Sequence, residues 1–113
     1  MKTEGHEDER GVLYWLDKHT MDFEHVTVGT INPGFKRGGH YHKKMSEKIL
    51  CVSGTLILKL DETEITMNSG DIEDIPKNCV HTLYNNSTEP GFFIELKDST
   101  FKSNTPDIHT RKK

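Results

Sequence analysis

The stretch Gly34-Phe-Lys-Arg-Gly-Gly-His40-Tyr-His42-Lys-Lys-Met-Ser-Glu47-Lys-Ile-Leu-Cys-Val-Ser-Gly54 decides how this chain is read. His40 and His42 are separated by one residue in a strand-like run. Residues two apart in a strand point to the same face, with their Cα atoms roughly 6–7 Å apart. That spacing suits two ligands of one metal ion. Glu47 follows beyond a bend and can bring a carboxylate to the same face. His81 lies on a later strand, just past the turn at Pro76, and a closed barrel returns that strand beside the first. Three neutral imidazoles and one carboxylate make a borderline-to-hard donor set, which suits Zn, Mn, Fe, Ni or Co and leaves positions open for water or substrate. The sequence does not rank these metals.

Outward from that stretch, short β-prone runs alternate with turn residues from Gly11 to Lys97. Candidate strands are Gly11 to Leu16, Phe23 to Ile31, Tyr41 to Met45 and Glu47 to Val52. They continue with Thr55 to Leu60, Glu64 to Met67, Asp71 to Ile75, Val80 to Tyr84 and Phe92 to Lys97. Asn32-Pro-Gly34, Ser53-Gly54, Asn68-Ser-Gly70, Pro76-Lys-Asn78 and Glu89-Pro-Gly91 supply the stops. Leu56, Leu58 and Leu60 share one face by the period of two, as do Val26 and Val28. No run of ten residues between 23 and 97 shows a helical stripe, so an all-β sandwich or barrel is expected. Residues 1–10 read as a flexible lead-in and 11–97 as one barrel. Residues 98–113 read as a tail that is loose or lies on a partner.

A second patterned stretch completes the first: Gly70, five residues, Pro76, four residues, His81, three residues, Asn85. Together the two resemble the paired signature motifs of the cupin superfamily and span residues 34–85. Asn78 stands where the family pattern has glycine, and asparagine tolerates the left-handed backbone better than most residues. The resemblance implies a jelly-roll β-barrel (a double-stranded β-helix) with one divalent metal inside, held by His40, His42, Glu47 and His81. It also implies that a homodimer is expected. Gly54 and Gly70 supply tight turns where positive φ is cheap only for glycine.

Composition narrows the classes. The chain has 113 residues, one domain by length, with 32% hydrophobic and 29% charged residues. Mean hydropathy is -0.71, so a thin core is expected. Charges are mixed in sign around a net of -3, which implies no general affinity for nucleic acid. No apolar run is long enough to cross a bilayer. Met1 to Arg10 lacks the apolar core of a signal peptide, so the expected compartment is the cytoplasm. There Cys51 and Cys79 are expected as buried thiols without a disulfide. The other histidines, His6, His19, His25 and His109, read as surface or packing residues.

Lys36, Arg37, Lys43, Lys44 and Lys48 crowd the first motif. They suggest an anionic small-molecule ligand such as a phosphorylated sugar or a carboxylate, or they are solvated lysines at strand ends. Tyr41 and Tyr84 have the opposite parity to the histidines and are expected to face outward or into an interface. Cys79 shares parity with His81. Glu95 either lines the pocket as an acid or base, or faces solvent while Phe92, Ile94 and Leu96 face the core. The alternation favours solvent.

Arg37-Gly-Gly-His40-Tyr-His42 and Glu47-Lys-Ile-Leu-Cys-Val-Ser-Gly54 are similar to segments of small cupins from surface-polysaccharide and nucleotide-sugar pathways. Asp8-Glu-Arg-Gly11 faintly resembles the opening of deoxysugar-nucleotide epimerases, which use a histidine base without metal. The reading this implies is an epimerase or isomerase acting on a phosphorylated or nucleotide-linked sugar. Its candidate catalytic residues are Glu95 and, in a metal-free version, His40 as base. A metal-dependent dioxygenase or other oxidoreductase, and a non-catalytic module that binds a small ligand, are the alternatives. Fold alone does not separate them.

Overall fold

Turn-punctuated β-prone runs become ten strands in a computed structural model that describes residues 2–16, 23, 25–98 and 108–110. The strands are β1 (Glu4–Asp8), β2 (Gly11–Trp15), β3 (His25–Ile31), β4 (Lys36–His40), β5 (Glu47–Ser53), β6 (Thr55–Leu60), β7 (Thr63–Asn68), β8 (Ile72–Ile75), β9 (His81–Tyr84) and β10 (Gly91–Lys97). Two four-stranded antiparallel sheets, ordered β3-β10-β5-β8 and β4-β9-β6-β7, face each other as a jelly roll. β1 and β2 form a separate hairpin. Among the described residues no helix is long and apolar enough to cross a membrane.

The core lies between the sheets. Ile31, Ile49, Cys51, Ile75 and Phe93 from one meet Leu56, Leu58, Met67 and Leu83 from the other. Leu56 and Leu58 are fully buried and Leu60 packs at the edge, as their shared face requires. Both cysteines are buried free thiols. Burial and the charge of Asp71 push the Cys51 thiol up to about 11, so it stays protonated and inert.

Two local expectations need correction. Residues 1–10 are not only a lead-in: Glu4–Asp8 pair in register with Gly11–Trp15, and Thr3 ties the hairpin to Gly70 through a 2.9 Å backbone hydrogen bond. Nor is 41–45 a strand. The strand is the Gly-rich run Lys36–His40, and Tyr41 joins only an isolated bridge. Pairing with β9 overrides the poor strand propensity of glycine, because tertiary partners outweigh local preference. His19 lies outside the described residues. Val26 and Val28 do share a face, the outer one, where they are 45% and 70% exposed.

The turn glycines behave as their sequence setting suggests. Gly54 has φ +83°, and a Cβ there would sit 2.8 Å from the carbonyl oxygen of Pro90. Asn78 adopts φ 64° in the glycine position of the second motif. Gly54→Ala should therefore cost about 2 kcal/mol of stability, from left-handed strain plus the clash, read from the urea midpoint at unchanged slope.

Candidate metal centre and pocket

β4 sets the geometry. Its pairing with β9 slips between Gly38 and His40, so a bulge occupies Gly38-Gly39. Without it, Arg37 and His40 would point to opposite faces, being three residues apart. With it, Arg37 lies opposite Leu83 and His40 opposite His81, both on the inner face. The bulge needs glycine: Gly38 has φ +109°, and a Cβ there would lie 2.6 Å from the His81 carbonyl oxygen.

His40, His42 and His81 come together at one end of the barrel. A ring nitrogen from each lies within 4.8 Å of the other two, and the ring centroids are 4.6–5.2 Å apart. His81 Nδ1 sits 3.4 Å from the Cys79 carbonyl oxygen. Donation there leaves the Nε2 lone pair for the cluster. Glu47, at the start of β5, is 2% exposed. Its Oε1 is 2.8 Å from His42 Nε2 and its Oε2 is 3.8 Å from His81 Nε2. Neither carboxylate oxygen receives a well-aligned hydrogen bond, despite full burial. A buried carboxylate normally gathers aligned donors. Two acceptor oxygens and three imidazoles facing one small volume form a donor set that could hold one divalent cation, whose bond lengths of about 2.0–2.2 Å would draw these atoms slightly together.

Burial works against the charged forms of His40 and His81. Burial, then the neighbouring His81 and His42, hold the His40 pKa down to about 4. Burial likewise lowers His81. Burial alone would raise Glu47, but the close His42 contact and the electrostatic pull of His81, His42 and Lys97, to the extent the histidines are charged, outweigh it. Its carboxyl is therefore held below the ordinary value.

The cluster opens into a cavity of about 510 Å³. Ile49, Leu58, Ile75, Leu83 and Phe93 form an apolar wall, and Thr27, Arg37, Glu95 and Lys97 supply polar groups. Glu95 therefore faces the pocket, against the solvent-facing reading of its strand. The correction has a clear cause. β10 is an inner strand whose outward face, Phe92, Ile94 and Leu96, is the more apolar one, so reading the apolar residues as inward gives the wrong face. Phe93, Glu95 and Lys97 point inward while Phe92 is 46% exposed. Lys97 is the pocket residue that sequence reasoning missed. Its Nζ lies 3.5 Å from Glu95 Oε2 and 4.0 Å from Glu47 Oε1, and its period-two spacing from Glu95 was the available signal. Burial and the charge of Glu47 raise the Glu95 pKa against the opposing pull of Lys97.

Of the basic cluster, only Arg37 lines the pocket. Lys48 pairs with Asp74, Lys36 lies over the outward Tyr84 ring, and Lys43 and Lys44 are exposed. His25 also lines the cavity, its Nε2 3.1 Å from Thr27 Oγ1. Cys79 is buried beside His81 and its thiol contacts the Val80 carbonyl.

A family model described as "Cupin domain" matches residues 27–97. The chain belongs to the cupin family. Among curated proteins it is 32% identical over 94 residues to a mannose-1-phosphate guanylyltransferase of Salmonella muenchen, covering 83% of this chain and 20% of that protein. It is also 32% identical over 62 residues to a quercetin 2,3-dioxygenase of Bacillus subtilis, covering 54% of this cupin and 18% of the dioxygenase. It thus spans about a fifth of either relative. Among solved structures, the QdtA 3,4-ketoisomerase of Thermoanaerobacterium thermosaccharolyticum, in complex with TDP, superposes with TM-score 0.80 at 22% identity, over 97% of this chain and 84% of that one. A cupin-superfamily sugar phosphate isomerase of Silicibacter pomeroyi gives TM-score 0.62 at 26% identity, over 71% and 56%.

The lowered His40 pKa implies a pH dependence of stability. Unfolded histidines take up protons near 6.5, whereas His40 does so only near about 4. Between those values the unfolded chain binds more protons, so acidification removes stability. In EDTA, the melting temperature should fall between pH 7 and pH 4.5, and His40→Asn should flatten that slope.

Proposed function

We propose that this cupin binds one divalent metal ion and isomerises or epimerises a phosphorylated or nucleotide-linked sugar. The observation that carries the reading is a cavity lined by His40, His42 and His81 together with the carboxyl of Glu95 and the guanidinium of Arg37, with the buried Glu47 carboxylate 2.8 Å from His42 behind the histidines. The three histidines and Glu47 would hold the ion, whether Zn, Mn, Fe, Ni or Co. When bound, such an ion polarises a carbonyl oxygen.

The other residues have separable roles. Glu95 takes and returns a proton at the carbon beside the carbonyl. Its raised pKa brings it closer to working pH, where a group that must both accept and release a proton is most effective. Lys97 steadies the ionised form of Glu95 from 3.5 Å. Arg37 is oriented by donating from Nε to the Thr30 carbonyl oxygen at 3.2 Å, and its planar fork suits a phosphate. The apolar wall excludes water from the reacting carbon. The guanylyltransferase and the sugar phosphate isomerase both carry phosphorylated sugars in their names, which agrees with an anionic sugar ligand.

The likeness to quercetin 2,3-dioxygenase favours one second reading, an oxygenase built on the same donors. Two measurements separate them. Elemental analysis of the purified protein should give near one metal per chain, lost in His42→Ala. With a panel of phosphorylated and nucleotide-linked keto sugars in D2O, NMR should show deuterium entering beside the carbonyl. Glu95→Gln should slow that entry by about a hundredfold or more while keeping the metal. Oxygen uptake without deuterium entry would replace the sugar reading with the oxygenase one.

A further inference from the structure

The loop between β4 and β5 carries His42, and Glu47 begins the strand that follows it. Its two ends are held by the same distant part of the chain. At the first end, Tyr41 and His109 form an antiparallel bridge. The Tyr41 N–H donates to the His109 carbonyl oxygen at 2.9 Å, and the His109 N–H donates to the Tyr41 carbonyl oxygen at 3.0 Å. Their rings also pack, with centroids 5.4 Å apart. At the second end, the Ser46 N–H donates to Asp98 Oδ1 at 3.0 Å, and the Asp98 N–H returns to the Ser46 carbonyl oxygen at 3.2 Å. Between these ends, the Asn78 N–H reaches the His42 carbonyl oxygen at 2.6 Å, and the Met45 side chain is buried. The neighbour of His109, Ile108, forms part of the cavity wall.

We infer that Asp98 and His109 strap the β4–β5 loop at its two ends as positioning residues, with Ile108 as a wall that limits ligand size. The physical case is one of constraint. Tyr41 sits between His40 and His42, so a backbone shift at Tyr41 moves both imidazoles relative to His81. β9 holds His40 from one side through its pairing with His81. On the other side Asp98 and His109 supply restraint at the two ends of the loop. Sub-ångström placement of donors is what separates a tight metal site from a loose one, and residues behind the donors commonly govern it.

The inference rests on the metal reading, and its test separates the two. Full-length wild type, His109→Pro, Asp98→Ala and Ile108→Ala are titrated with Co2+, whose visible spectrum reports donor geometry. Amide exchange at Tyr41 and Ser46 is followed in parallel. His109→Pro removes the N–H donated to Tyr41, and Asp98→Ala acts at the other end should the proline prevent folding. Expected results are at least fivefold weaker Co2+ binding with an altered spectrum in both, and at least tenfold faster exchange at the amide that lost its anchor. Ile108→Ala should keep the spectrum and admit bulkier ligands. Wild-type affinity, spectrum and amide protection in both strap variants would overturn the strap. Wild type that binds no Co2+ would overturn the metal reading instead, leaving amide exchange to decide the strap.

Discussion

A carboxylate with 2% exposure, enclosed by three imidazoles of which His40 and His81 have their pKa lowered by burial, is the constraint on which the rest of this barrel depends. A buried charge is tolerated only where partners replace water. Here the partners are His42 at 2.8 Å, His81 at 3.8 Å and Lys97 at 4.0 Å, contributed by three separate parts of the chain. Each must arrive at the same point, so the positions of β4, β5, β9 and β10 are fixed relative to one another at this end. The apolar contacts of Leu56, Leu58, Met67 and Phe93 set the distance between the sheets, and the charge cluster sets what that space is for.

The polar side of the cavity is a relay of alternating charge. Glu47, Lys97 and Glu95 follow one another at 4.0 and 3.5 Å, so a change of charge at the donor cluster is felt at Glu95. The charge of Glu47 already contributes to the raised Glu95 pKa. In the proposed chemistry, an ion held beside Glu47 would offset that charge and ease the ionisation of Glu95. Donor cluster and proton carrier would then be coupled electrostatically rather than act as neighbours by accident. Arg37 stands apart from this relay on β4, which leaves it available to an anionic part of the ligand.

The backbone devices are as informative as the side chains. The Gly38-Gly39 bulge turns a strand that would show Arg37 and His40 on opposite faces into one that shows both to the cavity. The Asp98 and His109 anchors hold the loop that follows. The bulge decides where Arg37 and His40 sit, and the proposed strap would do the same for the loop that carries His42.

By itself the sequence determined the strand-and-turn rhythm and the cupin frame of Gly54, Gly70 and Pro76, and it raised the expectation that His40, His42, Glu47 and His81 share one site. Those readings depend on local rules, the period of two, turn chemistry and motif spacing, and local rules are written along the chain. Only the tertiary structure decided that Glu95 and Lys97 face inward, that β4 runs through glycines, and that His109 returns to Tyr41. On β10 the charged pair Glu95 and Lys97 faces the cavity while the apolar Phe92, Ile94 and Leu96 face away, so hydrophobic parity points to the wrong face. A bulge reverses parity without changing composition. A bridge between residues 41 and 109 depends on the whole intervening barrel to bring its ends together.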